Sequence, residues 1–139
     1  MKKVMAFGTF DLLHPGHLHY LKEARKLGDY LVVVITTDEN VKSSKGKAPI
    51  NDQWQRKEIV ASLRVIDEAV VGEEKDYYKM VEKIKPQVIA LGYDQAEKKE
   101  AVEKELRKRG FDIKVVRVSP HKEAMHKSSK IKERIRKSD

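Results

Sequence analysis

The sequence predicts an α/β fold, a doubly wound parallel sheet of five strands in a single domain, and three observations support this prediction. Short apolar, β-branched runs alternate with segments whose apolar residues recur at helical spacing. The run YLVVVIT at 30–36 is apolar throughout, which is typical of a strand buried on both faces. The alternation continues along the chain without an internal repeat, so we expect one domain over residues 1–139.

Strands alternating with helices indicate βαβ units. Five strands are predicted, at residues 3–7, 30–36, 67–71, 87–91 and 112–118. Helices are predicted at 17–27, 52–64, 77–84, 96–109 and 128–137, and polar loops at 37–51 and 119–127. Right-handed crossovers leave a Rossmann-like sheet of order 3-2-1-4-5 as the simplest topology. That order puts the ends of the first and fourth strands side by side, at the switch point where ligands bind.

Composition narrows the classes of function. The chain has 30 Lys and Arg against 22 Asp and Glu, and the net charge of +8 favours an anionic partner. The basic residues are spread along the chain and not clustered with aromatics, so we expect no nucleic-acid partner. No apolar run approaches the roughly 20 residues of a membrane span, and no signal peptide is visible, so we expect a cytoplasmic protein without membrane association. The absence of cysteine excludes disulfides and thiolate catalysis.

The turn at 8–17 carries the strongest chemical signal. It follows the first strand and precedes the first helix, so free backbone N–H groups and the helix dipole favour an anion there. His14 and His17 are close enough in sequence to reach one anion together. Pro15 suits a first helical turn, and Gly16 allows the backbone to approach a ligand. The two imidazoles could instead cap, pack or bind a transition metal.

The turn reads G-T-F-D-x-x-H-x-G-H, and this pattern resembles the cytidylyltransferase-like nucleotidyltransferases. The resemblance covers nearly the whole chain. Its further matches are Thr36-Thr37-Asp38, Lys45 and Lys47, Gln55-Arg56-Lys57, Leu91-Gly92-Tyr93-Asp94-Gln95 and Ser128-Ser129-Lys130-Ile131. Within the family the chain is more similar to the archaeal FAD synthases than to the glycerol-3-phosphate cytidylyltransferases. It has Tyr93-Asp94-Gln95 where the latter carry Asp and Trp, and it lacks their closing R-T-x-G-I-S-T-T segment.

The resemblance implies nucleotidyl transfer, with ATP and FMN as substrates and Mg²⁺ or another divalent metal as cofactor. His14, His17 and Lys45 would be catalytic. Nucleotide-binding residues would be Gly8, Thr9, Phe10, His14, Pro15, Gly16, His17, Gly92, Tyr93, Asp94, Ser128 and Ser129. The acceptor phosphate would meet Lys45, Lys47 and Arg56, and Asp11 would hold the metal. Relatives are commonly dimers, so the resemblance also implies a homodimer.

Several assignments have alternatives. Asp11 could stabilise the turn, Asp94 could cap a helix, and Ser128 and Ser129 could be ordinary caps. Trp54, Tyr77 and Tyr78 could stack on a flavin, although aromatics at such spacings are more often core. The nucleotide could be CTP, and the acceptor glycerol 3-phosphate or another small phosphorylated compound. A binding module without catalytic activity would also account for the basic charge.

Overall fold

The computed structural model describes residues 1–73, 76–93, 95 and 98–119. The strands are β1 (Lys3–Gly8), β2 (Tyr30–Ile35), β3 (Glu68–Val71), β4 (Val88–Leu91) and β5 (Lys114–Arg117). They form one parallel sheet of order β3-β2-β1-β4-β5, which confirms the predicted topology. The helix predicted at 128–137 lies outside the described residues.

The helices are α1 (Pro15–Arg25), α2 (Asp38–Lys45), α3 (Gln53–Ala61), α4 (Tyr77–Ile84) and α5 (Lys99–Lys108). α1 begins at Pro15, two residues earlier than predicted. α3 begins at a complete capping box, in which Asp52 accepts from the Gln55 amide and Gln55 accepts from the Asp52 amide. No described helix is long and apolar enough to cross a membrane.

The prediction of a loop over 37–51 is wrong for its first half, which forms α2. The Thr37 side chain accepts a hydrogen bond from the Asn40 amide and caps the helix. Gly46 ends it in the left-handed conformation, with φ of 75°. Only Val41 of this helix is buried, so the sequence offered no apolar periodicity to reveal it.

Helices cover both faces of the sheet. On one face the core includes Leu21 of α1, Val60 of α3 and alternate residues of the central strands. On the other it includes Val81 of α4 and Leu106 of α5. Each of these side chains is at most 1 % exposed and contributes about 1.5–3 kcal/mol through burial. Ile59 is 42 % exposed, because α3 presents Val60 and not Ile59 to the sheet.

The sheet opens between β1 and β4 at its carboxyl end. β1 pairs with β2 as far as Gly8↔Ile35 but with β4 only at Val4↔Val88 and Met5↔Ile89. The Tyr20 hydroxyl bridges the two strands beyond that point, since it accepts from the Phe7 amide at 3.3 Å and donates to the Ala90 carbonyl at 2.6 Å. The split therefore lies at the switch point, directly before the turn that carries the two histidines.

Candidate functional site

The two histidines of the turn lie against each other. Their ring centroids are 3.8 Å apart with an angle of 22° between the planes. His14 is the N-cap of α1, and its Nδ1 accepts a hydrogen bond from the Gly16 amide at 3.1 Å. A neutral imidazole whose Nδ1 accepts carries its proton on Nε2, so His14 has an N–H to donate from the opposite side of its ring. A Cβ at position 16 would lie 2.8 Å from this ring, so glycine is needed there.

His17 is held in its neutral form. Burial lowers the pKa of His17 from 6.5 to about 3, with smaller contributions from His14 and Lys45. Its Nδ1 is buried and has no hydrogen-bond partner among the described residues. Nε2 is therefore the ring nitrogen left to meet a ligand, and a neutral ring can present it as a donor.

The Phe10 side chain is buried and packs against His17. Its side chain is only 4 % exposed, and its ring meets that of His17 edge-on at 5.3 Å. Its backbone is left-handed, with φ of 53°, which is uncommon for a residue other than glycine. A Cβ on Gly8 would lie 2.9 Å from the Phe10 ring, so the bend requires glycine at position 8. This local strain turns the ring into the core.

Asp11 ties the histidine turn to the segment that precedes α3. Its two carboxylate oxygens accept from the amides of Ile50 and Asn51, both at 2.9 Å, and the Asn51 side-chain amide donates to the Asp11 carbonyl at 3.0 Å. The side chain is 4 % exposed. The alternative of a turn-stabilising residue explains these contacts, and the role of Asp11 as a metal ligand stays a prediction.

The contacts of Arg56 do not support the prediction that it binds the acceptor phosphate. Arg56 is fully buried, and all three of its nitrogens donate to protein oxygens: to the carbonyls of Asn51 at 3.0 Å and Thr9 at 2.8 Å, and to the Asp38 carboxylate at 2.7 Å. A guanidinium that is already satisfied in this way cannot turn to a substrate without leaving those oxygens unpaired. Arg56 instead joins the histidine turn to the starts of α2 and α3.

Lys45 and Lys47 are exposed on the segment that Asp11 and Arg56 fix. Lys45 ends α2, and it is close enough to His17 to lower the pKa of that imidazole. Lys45 therefore acts on His17 through its charge, and its catalytic role stays a prediction. No contact places Lys47 at the pair.

The end of β4 faces the histidine turn across the split in the sheet. Gln95, which was not among the predicted site residues, spans this split: its side chain accepts from the Gly92 amide at 2.8 Å and donates to the Phe7 carbonyl at 2.6 Å. Arg117 donates to the Gly92 carbonyl at 2.7 Å. Gly92, which Tyr93 follows, thus lies beside the end of β1, and the nucleotide-binding role of both residues stays a prediction. Three predicted nucleotide-binding residues, Asp94, Ser128 and Ser129, lie outside the described residues.

Two of the three candidate stacking residues belong to the core. The Tyr77 ring packs on Phe7 at 4.7 Å, and Arg109 lies 4.6 Å above the Tyr78 ring. Trp54 differs, since it is 61 % exposed on the first turn of α3.

Comparison with known proteins identifies the family. Residues 5–134 match the family model described as cytidylyltransferase-like. The chain belongs to the cytidylyltransferase-like family. Among its relatives, a protein named FAD synthase from Ferroglobus placidus is 51% identical, over 97% of this chain and 88% of its own. Another FAD synthase, from Picrophilus torridus, is 47% identical over 96% of this chain and 95% of its own.

Solved structures agree on the cytidylyltransferase-like fold. The crystal structure of the lipopolysaccharide core biosynthesis protein from Thermoplasma volcanium has a TM-score of 0.84 and 45% identity, over 87% of this chain and 98% of its own. A pantoate-beta-alanine ligase from Francisella tularensis has a TM-score of 0.69 at 16% identity, over 95% of this chain and 65% of its own, and shows the fold alone. The family resemblance predicted from the sequence is therefore confirmed.

Proposed function

We propose that this chain is an FAD synthase, which transfers AMP from ATP to the phosphate of FMN and releases pyrophosphate. The observation that carries the proposal is the similarity to archaeal proteins named FAD synthase along nearly the full chain, at 42% to 51% identity for four of them. The histidine turn supports it, because the reaction needs donors and positive charge at one phosphorus atom.

In this reaction the protein needs only to align the two phosphates and to stabilise the negative charge that develops on the α-phosphate. A phosphate oxygen of FMN attacks the α-phosphorus of ATP, and the bond from that phosphorus to the bridging oxygen breaks, so the electron pair leaves with pyrophosphate. A phosphate monoester is already a nucleophile at neutral pH, so no general base is required. Catalysis then depends on holding two phosphates in line and stabilising the oxygens of the α-phosphate.

The histidine turn can stabilise the α-phosphate. His14 and His17 are stacked as two neutral rings, and each can offer its Nε2 as a donor. The start of α1 adds the positive end of its dipole, and Lys45 adds a cation. Opposite them, Gly92 and Tyr93 provide a backbone edge for the adenosine, on the far side of the split that Gln95 spans.

In this proposal the divalent metal ion enters the site bound to the nucleotide. Mg²⁺ is commonly bound by one or two carboxylates together with phosphate oxygens. The described residues contain no group of three or more side chains suited to a metal, and Asp11 is committed to the backbone. We therefore write the divalent ion as part of the substrate, bound to the phosphates of ATP. A homodimer and a cytoplasmic location stay predictions.

Product analysis tests the proposal. The purified protein is incubated with FMN and Mg²⁺, and with either ATP or CTP, and the flavins are separated by chromatography. FAD from ATP is the expected product. The second candidate is cytidylyl or adenylyl transfer to another phosphorylated acceptor, which the similarity to the lipopolysaccharide core biosynthesis protein of Thermoplasma volcanium favours. Parallel reactions with glycerol 3-phosphate and sugar phosphates test it, and their products without any FAD would overturn the proposal.

A further inference from the structure

A cleft lies on the side of β1 opposite to the split that Gln95 spans. It has a volume of about 650 Å³, within the usual range for small-molecule pockets. It opens at the carboxyl ends of β2 and β3 and at the starts of α2, α3 and α4. Its lining residues include Thr37, Glu39, Gln53, Trp54, Gly72 and Asp76.

The cleft is rigidly connected to the histidine turn. Gln53 in its wall accepts a hydrogen bond from the Asp38 amide at 2.9 Å. The Asp38 carboxylate binds Arg56, and Arg56 donates to the Thr9 carbonyl in the turn itself. Two side chains therefore separate the cleft wall from the turn. A ligand seated in the cleft would be held in fixed register with the histidine pair.

Trp54 is the feature of the cleft that points to a ligand. It is the only tryptophan of the chain, and 61 % of it is exposed. The capping box of Asp52 and Gln55 fixes the backbone on either side of it. A large aromatic ring exposed on a rigid turn, beside an open cleft, is suited to stacking against a flat ring system.

The side chains around the cleft favour a neutral group over an anion. Three carboxylates line it, Glu39, Glu73 and Asp76, against the single ammonium of Lys79. Glu73 is paired with Lys83, and the Asp76 carboxylate accepts from the Tyr78 amide. The Glu39 carboxylate and the Gln53 side-chain amide suit a neutral group that carries N–H or O–H donors.

We infer that this cleft binds the isoalloxazine ring and ribityl hydroxyls of FMN, with the ring stacked on Trp54. The inference rests on the proposed function. FMN combines a neutral, planar, donor-bearing ring with a phosphate at the other end. With the ring in the cleft, the phosphate points to Lys45 and the histidine pair. The two substrates then reach the turn from opposite sides of β1, as an in-line transfer requires.

The test compares Trp54→Ala and Trp54→Phe with the wild-type protein, and uses Ile59→Ala as the matched control. Ile59 is exposed on the same helix and does not line the cleft. Trp54→Ala should raise KM for FMN about tenfold, since stacking on an aromatic side chain is worth about 1–3 kcal/mol. KM for ATP should stay unchanged in all three variants. An unchanged KM for FMN in Trp54→Ala, or a rise in KM for ATP alone, would overturn the inference.

Flavin fluorescence gives a readout that does not depend on turnover. An indole in contact with a flavin quenches flavin emission by electron transfer. FMN bound to the wild-type protein should therefore be dim, and FMN bound to Trp54→Phe should be brighter, at matched saturation. Equal emission from the two complexes would also contradict the inference. A wild-type protein that forms no FAD would refute the proposed function, whereas FAD synthesis with an unaffected Trp54→Ala would refute the inference only.

Discussion

The imidazole rings of His14 and His17 are stacked 3.8 Å apart at the start of α1. At this distance two cationic rings would repel each other strongly, so the pair holds at most one charge at neutral pH. The two rings also make different contacts. His14 uses Nδ1 to cap the helix, and His17 rests on Phe10 with its Nδ1 enclosed. Both rings thus have only Nε2 to offer to a phosphate.

Replacing His14 with asparagine should separate its structural role from its chemical one. Asparagine is a good N-cap and can accept from the Gly16 amide, but it does not place a donor where Nε2 lies. His14→Asn should lower kcat by about 10²–10³-fold, as expected for the loss of one transition-state donor. KM for ATP should change little. Steady-state kinetics measure both parameters.

The control for this variant is His14→Ala, which loses the cap as well. It should lower the free energy of unfolding by about 1 kcal/mol relative to His14→Asn, as measured by urea denaturation. Wild-type kcat in His14→Asn would show that the imidazole of His14 takes no part in the transfer.

The pKa of His17 should make the folded protein less stable in acid. Its pKa is about 3 in the folded chain against 6.5 without burial. As pH falls below 6.5 the unfolded chain takes up this proton first, so the stability contributed by the neutral ring is present at pH 7 and declines toward pH 3. The loss from this group is at most about 1.4 kcal/mol per pH unit. Urea denaturation at several pH values measures the slope.

His17→Asn is the comparison for that slope. The variant lacks the titrating ring, so its stability should fall less steeply than that of the wild type between pH 6 and pH 4. Identical slopes would contradict a depressed pKa at His17, and so would an imidazole NMR titration near pH 6.5.

Lys45 should act on His17 through its charge. Lys45 contributes to lowering the pKa of His17, so Lys45→Met should raise that pKa. Lys47→Met is the matched control, because Lys47 does not contribute to the shift. NMR titration of the imidazole in both variants provides the measurement. If His17 had the same pKa in Lys45→Met as in the wild type, Lys45 would not act on the histidine pair through its charge.

Arg56 should matter for stability more than for substrate binding. Arg56→Met leaves the Asp38 carboxylate and the carbonyls of Thr9 and Asn51 without their donor. The free energy of unfolding should fall by about 1–3 kcal/mol, the usual cost of leaving a buried polar group without its hydrogen-bond partner. Urea denaturation tests this. A stable Arg56→Met whose defect was confined to KM for FMN would restore the phosphate-binding role predicted from the sequence.

The sheet could be predicted from the sequence because its strands are short apolar runs, as in β2, and such runs are typical of buried strands. The sequence also located the histidine turn, since His14, Pro15 and Gly16 are a local cap-and-helix pattern. It failed where a role depends on distant contacts. Nothing local distinguishes the buried Arg56 from a solvated arginine, and Gln95 acquires its role only when folding brings it to Phe7.

Other differences have local causes. Thr37 and Gly46 are residues of the type that cap helices, and they cap α2. The helix was not predicted because only one of its residues is buried, so apolar residues do not recur at helical spacing. Asp11 looked like a metal ligand because a carboxylate beside two histidines has that chemistry. The structure shows its oxygens accepting from Ile50 and Asn51, a contact over about forty residues that sequence cannot reveal.

The central claim is that the histidine turn is the site of adenylyl transfer to FMN. The most direct measurement follows the label from ATP carrying ³²P at the α-position, with FMN and Mg²⁺, in the wild-type protein and in His14→Asn. We expect the label to appear in FAD with the wild type, and far more slowly with the variant. Label that never enters a flavin, or that enters FAD equally fast in both proteins, would contradict the claim.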